Sequence, residues 1–153
     1  MLLSLNQNAT VWKASGLNAG GEVTYAAEPV DVIVRWEDRV TRYQHSDGSE
    51  RVGNCVLYST TEGAISLNDK ACLSSRNALL ARTLGAAGLD ALAATLGIPR
   101  ASLDLLLSST APVAGVDYSV ISPWNAPNVR TIGAAGASPS LGGGWTLYKL
   151  IGE

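Results

Sequence analysis

Between Pro29 and Asp38 the chain alternates: Val30, Val32, Val34 and Trp36 interleave with Asp31, Ile33, Arg35 and Glu37. A period of two predicts a strand with the first set in the core and the second largely wet. Shorter β-prone pieces precede it, Thr10 to Lys13 and Val23 to Tyr25, separated by the turn-rich Gly16 to Gly21. After it, Val40 to Tyr43 runs into Ser46-Asp47-Gly48-Ser49, and Glu50 to Thr60 returns. The Asp-Gly pair supplies the positive φ that a tight hairpin needs.

Between Asn68 and Ser109 the period lengthens. Leu79, Leu80, Leu84, Leu89, Leu92 and Leu96 recur at helical spacing, with Ser74 or Ser75 as N-cap, Gly97 as stop and an interruption near Gly85 and Gly88. Pro99 opens a second helix, Arg100 to Leu107, whose Leu103, Leu106 and Leu107 are expected to pack back on the first. Beyond Pro112 the pattern is extended again: Asp117 to Ile121, Asn128 to Ile132, a flexible loop Gly133 to Gly144, and a last strand Trp145 to Ile151. These elements predict a mainly β fold, a small antiparallel β-barrel or sandwich with an inserted helical hairpin. The expected organisation is a single domain, 1–153, with a β core from 1–67 and 110–153 and a helical insertion at 68–109.

A chain of 153 residues has room for one domain with a core that needs no metal or disulfide staple. Charged residues make up 16% against the usual quarter, and 16 residues are glycine. Such a balance points to neutral surface covered by something else, as in an assembly subunit. A net charge of −2 gives no field to attract nucleic acid or an anionic membrane. Cys55, Cys72 and the single His45 cannot assemble a metal set, and the thiols read as buried. The N-terminus lacks the basic and apolar regions of a signal peptide, and Arg82, Asp90, Pro99, Arg100 and Asp104 interrupt the apolar stretch from Ala78 to Leu107, so the chain reads as soluble and cytoplasmic.

Catalytic chemistry finds little support. His45 near Asp47 has no serine in a nucleophile elbow, and the adjacent Glu37 and Asp38 point to opposite faces of a strand. Gly142-Gly143-Gly144 precedes a strand, whereas a phosphate loop precedes a helix. No enzymatic activity, catalytic residue, metal or cofactor is therefore expected. Residues 91–107 resemble a helix-turn-helix, which makes a DNA-binding regulator the alternative function. Its second helix carries just Arg100 and Asp104 among leucines, a poor supply of donors for bases and phosphates.

Several segments in order are similar to the head-completion (head-closure, or stopper) proteins of tailed bacteriophages. They are Val11-Trp12 through Gly21, Thr24-Tyr25, Pro29-Val30, the strand Val34-Arg35-Trp36-Glu37-Asp38, the Asp47-Gly48 hairpin with Val56-Leu57-Tyr58, and Ser138-Pro139-Ser140-Leu141-Gly142 through Leu147-Tyr148-Lys149-Leu150. The forty or so residues of helical pattern in the middle depart from that family. The resemblance implies a structural virion protein of the neck, made in the host cytoplasm. It would form a ring, a hexamer on the resemblance alone, under the portal and adaptor proteins. There it would close the DNA-filled head, with packaged DNA near the channel, and offer a platform to the tail terminator or other tail proteins. Another tail or neck subunit is the neighbouring alternative. No membrane partner is expected. Contact regions would be the hairpin tip (Asp47, Gly48), the loop with Ser138, Pro139, Leu141, Gly142, Gly143 and Gly144, and the exposed side of the helical hairpin.

Overall fold

In a computed structural model, which describes residues 6–45, 47–60, 63–138 and 147–153, the strands are β1 (Gln7–Trp12), β2 (Ala14–Leu17), β3 (Val23–Tyr25), β4 (Val30–Glu37), β5 (Thr41–Gln44), β6 (Glu50–Gly53), β7 (Cys55–Ser59), β8 (Lys70–Cys72), β9 (Arg130–Ser138) and β10 (Leu147–Gly152). Helices α1 (Arg76–Leu96) and α2 (Arg100–Leu107) and a 3-10 turn, Tyr118–Val120, lie between β8 and β9. Among the described residues six strands close an antiparallel barrel in the order β1-β4-β7-β10-β9-β8. Closure comes from β1 against β8, with Thr10 opposite Cys72 and Val11 opposite Ala71. A closed barrel has no unpaired edge to recruit further strands.

Ala9, Val11, Val34, Trp36, Cys55, Leu57, Ala71, Ile132 and Leu150 fill the interior. Alternation along β4 places Val34 and Trp36 in that core and leaves Val32 half-buried against it. Val30, expected with them, is 40% exposed because β4 begins there at the barrel mouth, beside the β2–β3 hairpin.

A second core lies outside the barrel wall. Trp12 and Cys72, which follow the inward-facing Val11 and Ala71, point outward under the helices and meet Leu79, Leu80, Leu89, Ala93, Leu103, Leu107, Tyr118 and Ile121. The Trp12 indole N–H donates to the Ile121 carbonyl at 3.1 Å. This patch of wall is therefore buried on both faces, and β8, three residues long, has no alternation to betray it. The region assigned to the helical insertion from residue 68 in fact opens with this barrel strand.

Ser75 caps α1 by accepting from the Ala78 N–H, and Gly97 ends it at φ 71°. Midway, Gly85 at φ 65° and ψ −176° breaks the helix. In length and apolarity α1 matches a bilayer span, yet this break divides it and its Leu79, Leu80, Leu89 and Ala93 pack in the second core. On α2, Leu103 and Leu107 are buried, while Leu106, expected beside them, is 46% exposed: the short helix turns one face to α1 and Leu106 lies off it.

Two expectations for the later chain are corrected. Asp117 to Ile121 is not extended, because the Asp117 carboxylate accepts from the Ser119 N–H at 2.9 Å and winds a 3-10 turn. Nor does a loop begin at Gly133, where β9 continues to Ser138. A Cβ on Gly133 would stand 2.0 Å from the Tyr43 hydroxyl oxygen, so glycine there serves close packing and not flexibility.

Candidate functional site

The strand order sorts the appendages between two ends of the barrel. Beyond the end of β1 and the start of β4, the β2–β3 hairpin projects from one mouth. From the other mouth, where β4 ends and β7 begins, projects the β5–β6 hairpin. The helical excursion leaves and rejoins at this second mouth and runs along the wall as far as Trp12 and Tyr25.

Tyr43 anchors the base of the β5–β6 hairpin. It is buried, donates its hydroxyl to the Glu153 carboxylate, and is pushed up to about 12 by burial first and then by Glu153. Arg51 adds a 3.7 Å ion pair to the same carboxylate. At the tip, Asp47 Oδ1 accepts from the Ser49 N–H (2.8 Å) and hydroxyl (2.5 Å), and Arg51 reaches Oδ2 at 3.1 Å. These bonds, Ser49's above all, hold the Asp47 carboxyl far below the usual carboxylate range. With Gly48 at φ 85° and its N–H donated to the His45 carbonyl, the exposed tip is shaped by its own hydrogen bonds. The sequence-expected Asp47 and Gly48 thus sit exposed on this projecting hairpin.

At the opposite mouth, Asn18 Oδ1 accepts from the Gly20 and Glu22 N–H groups and shapes the β2–β3 tip. Its base is tied down by Asp69, 1% exposed, which accepts from Lys13 Nζ (2.6 Å), the Ala14 N–H and the Ser66 N–H. Nearby, Trp124 stands edge-on to Tyr25 at 6.3 Å, and Lys70 Nζ lies 4.9 Å from its ring centroid. Trp124 is 74% exposed, whereas Trp12 and Trp36 are core residues. Alternation along the strand marked Trp36 alone as a core residue; for Trp124 the available signal was the Pro123-Trp124-Asn125 setting, polar and off any periodic run.

On the helical excursion, Leu105 and Leu106 flank an apolar depression of about 400 Å³ that also includes Leu96, Ile98 and Val113. The cation of α2 is spent internally: Arg100 bonds Asp90 at 2.7 Å, Asp104 at 2.9 Å and the Ala86 carbonyl at 3.0 Å. Of the remaining expected contact residues, Ser138 ends β9, and Pro139, Leu141, Gly142, Gly143 and Gly144 lie outside the described residues.

At the second mouth the start of the excursion, its return and the barrel rim enclose a cleft of about 640 Å³. Asp38, Asn54, Arg82, Asn128 and Arg130 give it polarity. Trp36, Leu73 and Leu79 supply apolar wall, and the Trp36 indole N–H donates to Asp38 at 2.9 Å. Both thiols are free and buried; burial pushes Cys55 up to about 11 and also raises Cys72. No protein-family model, curated protein or solved structure matches this chain.

Proposed function

We propose that this chain is a structural subunit of a bacteriophage head-to-tail connector, a head-completion protein that joins a ring beneath the portal and adaptor. The observation that carries the reading is the placement of self-shaped hairpins at opposite mouths of one closed barrel. A subunit between two different neighbours needs distinct contact surfaces at its two ends, and a cyclic ring adds two unlike lateral faces. The closed barrel itself offers no edge for strand addition, so contacts fall to its outer surface and to the projecting hairpins. Exposed Leu105 and Leu106 on α2, and Trp124 beside the β2–β3 hairpin, provide apolar contact area. Together with an order of segments that resembles stopper proteins, this favours a connector over a regulator, since α2 presents leucines and a neutralised arginine to solvent.

Virion membership tests the reading. Mass spectrometry of purified particles of the phage encoding the chain should find it in a few copies per particle, with tailless or DNA-leaking heads when the gene is silenced. Normal infectious particles lacking the protein would overturn it.

A further inference from the structure

The arginines of this chain divide into two groups. Arg35, Arg39, Arg42, Arg51, Arg76 and Arg100 each hold a carboxylate, at 2.7 to 3.6 Å. The side chains of Arg82 and Arg130 make no ion pair or hydrogen bond among the described residues, and both line the 640 Å³ cleft at the second barrel mouth. Arg130 Nε is fully removed from solvent with no partner. A buried guanidinium nitrogen without an acceptor costs free energy that an incoming anion would recover.

The cleft's charges indicate which anion. Arg82 and Arg130 are opposed by Asp38, already engaged by the Trp36 indole, which leaves one net positive charge. A single carboxylate balances that, while a phosphate group brings about −1.5 to −2 and would face Asp38 with the excess. Guanidinium groups also match a carboxylate in the two-pronged geometry that makes the strongest such bonds. Beside them, Leu73 is exposed at 41% above buried Leu79, an apolar shelf next to the charge. We propose that this cleft captures a glutamate or aspartate side chain of a partner polypeptide, with the residue beside it in sequence apolar and resting on Leu73. This inference rests on the cleft alone and stands whether or not the connector reading does.

The test is a titration of the ¹⁵N-labelled full chain with acetyl-Leu-Glu-Leu-amide, with acetyl-Leu-Gln-Leu-amide and with inorganic phosphate as comparison arms. The Trp36 indole N–H and Arg130 Nε–H resonances should move saturably with the glutamate peptide and stay in place with the other two at equal concentration. Arg82 is exposed, so Arg82→Gln should fold normally and weaken the peptide by about tenfold or more, the scale of a lost charged hydrogen bond. Arg130→Gln should weaken it at least as much; if that variant does not fold, Arg82→Gln decides. The proposal is overturned by unmoved resonances, by an equal response to the glutamine peptide, by tighter binding of phosphate, or by unchanged affinity in Arg82→Gln.

Discussion

The barrel and the helical excursion bury apolar side chains by different means. In the barrel every described strand is paired on both sides, and inward residues such as Val11, Val34 and Leu57 are wholly buried. The excursion builds its core against the outside of the barrel, around Trp12 and Cys72, and leaves Leu105 74% exposed. One region closes on itself, while the other leans on it and retains apolar surface. Stability should therefore reside in the barrel, and capacity for new contacts in the excursion and the hairpin tips.

Removing Trp36 should break the comparison at its stronger member. Its ring fills the barrel interior and bonds Asp38, so Trp36→Ala should cost about 3–5 kcal/mol and lower the denaturation midpoint of the whole chain. A midpoint within a degree or two of wild type would contradict its place in the core.

Asn77→Ala should sharpen the contrast. Buried Asn77 donates to the Ser109 and Ala111 carbonyls at 2.6 and 2.9 Å and accepts from the Tyr118 hydroxyl at 2.5 Å, pinning the excursion's return to α1. Losing it leaves buried groups unsatisfied, at about 1–3 kcal/mol. Hydrogen exchange should quicken in α2 and near Tyr118 while β1, β4 and β7 keep their protection. Uniform quickening would show that the two regions open as one.

Alkaline titration bears on the barrel and on the base of its hairpin. Cys55, Cys72 and Tyr43 are all raised by burial, so the folded chain holds these protons more tightly than the unfolded one. Their stabilisation is complete below pH 9, the ordinary thiol value, and is lost as pH rises through about 11 for Cys55 and about 12 for Tyr43. Urea midpoints should fall across that range, and Cys55→Ala should flatten the part above pH 9. A wild-type midpoint that stays level from pH 9 to 11 would contradict the burial of the thiols.

The smallest expected stability effect is at Leu105. Leu105→Ser should change stability by less than about 0.5 kcal/mol, because the side chain is 74% exposed. In a connector it should nonetheless reduce assembly; a strongly destabilised variant would mean that Leu105 packs in the core.

The legible parts of this molecule were those with long periods or distinctive punctuation. β4, the Asp47-Gly48 turn, Ser75, the break at Gly85 and Gly97 each announce themselves through alternation, a cap or a forced positive φ. Strand β8 was lost because a wall buried on both faces carries no alternation. The reading of Gly133 failed because composition does not tell a glycine that bends from one that admits a neighbour, here Tyr43 from a distant hairpin. The arginine cleft was invisible for a related reason: Arg82 and Arg130 are 48 positions apart, and what distinguishes them from the other arginines is that neither side chain pairs with a carboxylate among the described residues.

The connector reading is tested most directly by electron microscopy of the full chain alone and mixed with the portal–adaptor complex of the same phage. The account predicts a monomer or weak associate when alone, and a closed ring on the adaptor face when mixed, with the β2–β3 and β5–β6 tips directed to opposite sides of that ring. A chain that leaves the adaptor face bare at saturating concentration would contradict it.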